Sequence, residues 1–265
     1  MHGKGEGRVG MMVKSVFIGL FLVFTVLMTG VRVYAVDEKE LEKQADLIAK
    51  LLVSCRTVIA QNQELFNDPE KGDKGFTGDV YISKVREHFK NATGMEVSDS
   101  DASSTDPVKK SLGTLLASTK KVLDRSQQVL NIRGLGFKNV IPAVVGRRAS
   151  YLYTKAMGAG YYIKQTSIKY RNPANRPDAF ETKILTRFEK SDYPKDKGMG
   201  KTVTYSDGSK FYRYMLPLSI KQDCLQCHGD PKGEIDITGR TKEGYRLSEI
   251  RGAISVIVPY SPEEH

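Results

Sequence analysis

The chain has no tryptophan, three cysteines and four histidines in 265 residues. An odd count of three thiols is no basis for a disulfide framework, even in a compartment where disulfides form. A zinc knuckle on the paired cysteines would need a fourth ligand, and only Cys55 and His88 could supply one. The dithiol lacks the βαβ setting of a redox-active pair. The lysines are scattered, with no basic helix and no aromatic-basic platform, so no nucleic acid is expected as a partner. No catalytic constellation stands out, and no enzymatic activity is expected. A peroxidase-like reaction would need an acid-base residue beside an open metal, which no motif supplies.

Hydrophobic residues make up 40% of the chain, and 13 Tyr with 10 Phe replace the missing tryptophan as bulky core material. A packed core is therefore expected. Net charge is +10, of which +3 falls in residues 1–35. The remainder reads as a solubilising surface or a docking face for an acidic partner. Lys4, Arg8 and Lys14 precede an uncharged apolar run from Val16 to Val31, and Val33-Tyr34-Ala35 carries small residues at the cleavage positions. Residues 1–35 thus read as a signal peptide, or failing cleavage as an anchor, and place the chain in the periplasm or another extracytoplasmic space. No second apolar run follows, so no further membrane crossing is expected.

Leu41, Ala45, Ile48, Leu52, Cys55, Ile59, Asn62 and Phe66 recur at steps of four and three. This spacing predicts a helix over 38–66 with Cys55 on its apolar stripe. The stripe could be a dimer seam or an internal packing face. A Gly-punctuated loop and a short helix around 80–90 follow. Residues 98–107 read as a polar linker, and a second long helix is predicted over 108–130. The two long helices resemble each other at an offset of 64: Leu51-Leu52-Val53-Ser54 matches Leu115-Leu116-Ala117-Ser118, Val58 matches Val122, Gln63 matches Gln127 and Asn67 matches Asn131. With three residues of slack, Gly75-Phe76 then matches Gly136-Phe137. The unit reads as helix, Gly-Phe loop, helix, repeated twice within 36–158. At the Cys55 position the second copy has Thr119.

From 159 the texture changes to strands. Residues 162–170 alternate apolar and polar, 180–190 read as a short helix, and 201–205 with 210–216 form a hairpin around Ser206-Asp207-Gly208-Ser209. Ala253–Val258 reads as a central last strand. The expected fold class is α+β, an antiparallel sheet with short inserted helices after a helical region.

Between the hairpin and the last strand stands Cys224-Leu225-Gln226-Cys227-His228. Two thiols two residues apart can reach the two vinyl groups of a haem, and the adjoining imidazole can reach its iron. One such motif implies one covalent haem c, with Cys224, Cys227 and His228 binding it, and excludes a multihaem wire. For the opposite side of the iron the candidates are Cys55, His88, Met95, Met157, Met199 and Met215. Tyr170-Arg171-Asn172, at a strand end, is rich in donors suited to the haem propionates, or else a simple turn.

Three blocks resemble a family: Arg171-Asn172-Pro173-Ala174-Asn175-Arg176-Pro177-Asp178-Ala179-Phe180-Glu181, then Cys224–Pro231, then Gly244-Tyr245 with Arg251-Gly252-Ala253-Ile254-Ser255-Val256. They resemble exported single-haem c-type cytochromes with a PAS-like fold, long catalogued as a domain of unknown function. The resemblance covers roughly 160–260. It implies a PAS-like haem domain over 159–265, and an iron held by the motif His and by a helix Cys, for which Cys55 is the match in kind. Two departures stand out: Ile59-Ala60 replaces the family's Ala-Pro, and 67–158 is longer than compact members need. The implied function is a haem-based redox or small-ligand sensor acting through a partner protein; the alternative is a periplasmic electron carrier.

Overall fold

In the computed structural model, residues 37–260 are described; the export segment read over 1–35 lies outside them. Asp37 opens the first helix, α1 (Glu38–Gln61), by accepting the Lys39 N–H at 3.0 Å, with Glu38 and Glu40 against the positive end of the helix dipole. The predicted helix over 38–66 breaks at Asn62. Its side-chain amide donates to the Val58 carbonyl at 2.7 Å, and the chain restarts as α2 (Gln63–Asn67). The stripe from Leu41 through Cys55 to Ile59 and Phe66 is buried inside the chain itself. It is covered by α3 (Gly78–Thr93), α4 (Pro107–Leu130), α5 (Pro142–Met157) and the sheet, so it is a packing face and no open dimer seam.

The offset of 64 persists through the loops. The helices α3 and α5 have 16 residues each and are displaced by that same offset. Lys74-Gly75-Phe76 therefore corresponds to Lys138-Asn139-Val140, which corrects the expected Gly-Phe match with its three-residue slack. Gly75 and Asn139 share the left-handed conformation at φ 60° and 57°. Asparagine tolerates that region, so the second glycine was dispensable. Each copy's loop is tied to the other copy's helix. Gln63 Nε2 donates to Val140 O at 2.9 Å and Gln127 Nε2 to Phe76 O at 3.0 Å. Asn131 Oδ1 accepts the Lys74 N–H and Asn67 Oδ1 the Lys138 N–H, both at 3.0 Å. Lys74 and Lys138 are each only 3% exposed, and their ammonium groups cap main-chain carbonyls of their own loops.

The second half builds four antiparallel strands, β1 (Tyr162–Thr166), β2 (Met199–Thr204), β3 (Lys210–Ser219) and β4 (Ile250–Pro259), in the order β1-β4-β3-β2. With seven α-helices among the described residues, the fold is α+β. Alternation sorts the two faces. Tyr212, Tyr214, Leu216, Ile254, Val256 and Val258 join the helical core under α1. Met215 and Ala253 face the other way, toward α6 (Ala179–Phe188). The change of texture expected at 158/159 is thus a change of secondary structure within one shared core. The strand expected over 162–170 stops at Thr166. Beyond it the Ser167 N–H turns from β4 to Asn175 O, and only its hydroxyl still bonds β4, at Arg251 O at 2.7 Å. The C-terminal ends of β1 and β3 and the start of β4 meet at one end of the sheet. Among the described residues, no helix is long and apolar enough to cross a membrane.

Replacing Asn67 or Asn131 by Ala strands a main-chain N–H of the partner loop. Each change is expected to cost about 1–2 kcal/mol in urea melts, with similar losses for the two because the bonds are equivalent.

Candidate functional site

The cysteine-histidine motif lies on a seven-residue helix, α7 (Gln222–His228), that leaves β3 at the shared end of the sheet. Ile220 N–H donates to Glu249 O and Ser248 N–H to Ile220 O, which fixes the entrance of α7 against the approach to β4. Tyr245 N–H donates to His228 O at 2.8 Å and fixes its exit. Cys224 and Cys227 are free thiols, both half-buried. Burial and the Asp236 carboxylate push the Cys227 thiol up.

Behind His228 is a buried ionic cluster. Its Nδ1 lies 2.8 Å from Glu243 Oε2. A carboxylate only accepts, so the proton sits on Nδ1, and Nε2 keeps its lone pair. Burial lowers the imidazole's proton affinity, and the charges of Arg251 and Arg171 do so too, against Glu243. Burial alone would raise the Glu243 carboxyl. Bonds from His228 and Arg171 and the charge of Arg251 outweigh it and hold the group at about 2.

Arg171 organises this cluster. Its Nε reaches Glu243 Oε1 at 2.6 Å, Nη1 reaches Asp236 Oδ2 at 2.6 Å, and Nη2 reaches Glu243 Oε2 and Cys227 O, both at 2.7 Å. All three nitrogens are engaged within the protein, and Arg171 holds the loops behind the motif. Asn172 is a cap, its Oδ1 accepting the Ala174 N–H at 3.0 Å, and Tyr170 is exposed. Arg251 completes the brace through Ser167 Oγ at 2.7 Å and Lys169 O at 3.1 Å.

Cys55 stands on α1. It is 0% exposed, inside the bundle, with the hydroxyls of Thr119 and Tyr81 beside its thiol. Burial pushes that thiol up to about 12, so it stays protonated. Tyr81 Oη also bonds Cys55 O and Thr119 Oγ1, both at 3.1 Å. Cys55 thus packs in the bundle on α1, while His228 stands on α7. The α1 residue beside the motif is Arg56, one step further round the helix. Arg56 is half-buried, has no hydrogen bond or ion pair among the described residues, and feels Cys224 and Arg251. Burial draws its guanidinium down to about 10. His88 is half-buried on α3, with Nδ1 at 3.1 Å from Ser54 Oγ. Met199 and Met215 pack with α6, and Met95 and Met157 pack against the helical core.

The sequence reading missed Glu243, Asp236, Arg251 and Arg56 as functional residues. Arg56 had a visible signal, a lone cation in the apolar run Leu51–Ala60. Glu243 and Asp236 had none, because their roles depend on a partner 65 or more positions away.

The Tll0287-like family (Tll0287) matches residues 35–259, a span that includes every group of the cluster. The chain belongs to the Tll0287-like family. No curated protein and no solved structure matches it. Membership accounts for the helical region as well as the sheet, since the match begins before α1 and ends at the last residue of β4.

Asp236 supplies a pH test. Its side chain is 0% exposed. Burial would raise the carboxyl, but the Thr238 hydroxyl, the Arg240 and Thr238 N–H groups and Arg171 bring it from 3.8 to about 2. A depressed carboxyl stabilises the fold fully above its unfolded value of 3.8 and ceases to do so as pH falls through about 2. The contribution is roughly 2 kcal/mol. Thermal melts between pH 6 and pH 2 should therefore fall more steeply for the native chain than for Asp236→Asn; parallel curves would refute the assignment.

Proposed function

We propose that this member of the Tll0287-like family is an exported monohaem c-type cytochrome with a PAS-like sheet. In this reading Cys224 and Cys227 would hold the haem covalently as thioethers, their S–H groups adding across its two vinyls, and His228 would ligate its iron through Nε2. The observation that carries the reading is the motif's chemistry in place: two free thiols on one helical turn, next to an imidazole whose proton is pinned on Nδ1 by Glu243. A bound haem would supply a one-electron couple. A carboxylate on the far nitrogen makes the imidazole a stronger donor and favours ferric iron. Arg56, half-buried without a partner, suits an anionic propionate better than the saturated Arg171.

We further propose that the haem senses redox state or a small ligand and passes the signal to a partner protein. Support comes from α1, which contacts α7 and also runs through the core shared by bundle and sheet. A displacement of α7 would reach that shared core through one rigid element.

The test is expression with export and haem-maturation machinery. Native protein should keep its haem through denaturing electrophoresis, and Cys224→Ser/Cys227→Ser should lose it. Cys55→Ser tests the second iron ligand: a changed absorption spectrum and midpoint potential support Cys55 in that role, and an unchanged spectrum and potential overturn it. Glu243→Gln should raise the midpoint potential by removing the carboxylate behind His228. Ready binding of carbon monoxide by ferrous protein supports ligand sensing. Refusal of it, with fast exchange with a cytochrome partner, favours the electron carrier.

A further inference from the structure

The two copies of the helical repeat share a backbone and differ in charge. The second copy, residues 107–158, holds ten Lys and Arg against a single acidic residue, Asp124, a net of +9. Its counterpart at the offset of 64, residues 43–94, holds eight against seven, a net of +1. The whole chain stands at +10, so everything outside 107–158 sums to +1. Two of the ten cations serve the fold: Lys120 lies between Asp79 and Asp124, and Lys138 caps a carbonyl of its own loop. The other eight are exposed, and among the described residues none has an ion pair or a side-chain hydrogen bond.

The bundle does not require them. Lys110, Lys121, Arg125, Arg147 and Lys155 correspond to Asp46, Thr57, Gln61, Ser83 and Asn91 in the first copy. Lys121 and Arg125 stand one turn apart on α4, where like charges repel. A concentration of charge that costs stability, and that the sister copy folds without, points to something outside the chain.

The exposed apolar residues follow the same division. Tyr151 is 68% exposed, Ile132 44% and Leu135 38%. At the matching positions the first copy has Glu87, Asp68 and Lys71, all charged. Arg147, Tyr151 and Lys155 recur at steps of four, on one stripe of α5. Arg125 lines one cleft with Arg147, Arg148 and Tyr151, so the outer sides of α4 and α5 adjoin. Ile132 and Leu135 belong to the loop that joins the two helices. Cations with apolar tips among them suit a surface that lies on a bilayer. The charges meet anionic headgroups, and the apolar side chains enter the boundary beneath. A protein partner would be met by side chains held in one geometry; these eight are held by no bond, which suits mobile headgroups.

We infer that the outer side of α4 and α5 docks on an anionic phospholipid surface, with Tyr151, Ile132 and Leu135 entering the headgroup boundary. The inference uses no residue of the cysteine-histidine motif and stands apart from the haem reading.

The chain has no tryptophan, so one introduced at Tyr151 reports on α5 alone, whatever holds the rest of the chain. In full-length Tyr151→Trp protein, emission should shift to the blue with vesicles of phosphatidylglycerol and phosphatidylcholine in equal parts. It should stay in place with phosphatidylcholine alone. Glu87→Trp, at the sister position, should shift with neither. Adding Arg147→Gln/Arg148→Gln/Lys155→Gln to Tyr151→Trp should weaken the response by about a hundredfold at low salt, roughly fivefold for each cation. All three positions are exposed, so that variant should keep the native melting temperature. Salt at about 0.5 M should release the native face as well. Equal shifts with both vesicles, equal shifts at 151 and 87, or a response unmoved by the three substitutions would overturn the proposal. So would a shift with poly-glutamate and none with vesicles, which would assign the face to an acidic protein.

Discussion

The site depends on one guanidinium. Arg171, on the segment that leaves β1, bridges the Glu243 carboxylate, the Asp236 carboxylate and the Cys227 carbonyl. Those acceptors belong to the end of α7 and to the long loop returning to β4, which contains no helix or strand of three residues or more to hold it. Such a loop is ordered by its polar contacts or not at all. Removing the cation would strip Asp236 of its ion pair and leave Glu243 with Arg251 alone, a cost of about 3–5 kcal/mol for a broken buried pair. Glu243 in turn fixes the tautomer of His228. The orientation of the imidazole is thus set by a residue 57 positions upstream of it, through a single intermediate.

Local features were legible in the sequence. The cysteine-histidine motif is contiguous, the stripe on α1 is periodic, and β4 reads as a central strand because it is an apolar run. The repeat was legible as far as its helices. It slipped in the loop because Gly136-Phe137 offered a better letter match than Lys138-Asn139, while the backbone demanded only a left-handed residue at 139. What the sequence could not carry was who faces whom. Arg171 looked like a free donor because its acceptors, Asp236 and Glu243, lie in a loop whose letters suggest only turns.

Cys55 illustrates the same limit from the other side. Its place on the stripe was correctly read as a packing position, and an unpaired thiol in a chain read as exported invited a role at the proposed haem. The repeat supplies the counter-argument. Cys55 and its counterpart Thr119 meet inside the bundle, together with Tyr81, whose hydroxyl bonds the Cys55 carbonyl and the Thr119 hydroxyl. A small, weakly polar side chain fits a buried position between two hydroxyls. Packing between the two copies is a sufficient reason for a thiol there.

The charges around α7 show which side of the motif is complete. Behind the imidazole, two arginines face two carboxylates, and the neutral His228 adds nothing, so that cluster balances by itself. On the α1 side Arg56 has no such counterpart, and its half-buried position lowers its affinity for a proton. An unpaired guanidinium at that depth is costly unless an anion joins it. The protein's own residues complete the side behind His228 and leave a positive charge on the α1 side. The proposed cofactor, with two carboxylates at its edge and two vinyls for the thiols, has the charge and the reactive groups that this asymmetry calls for.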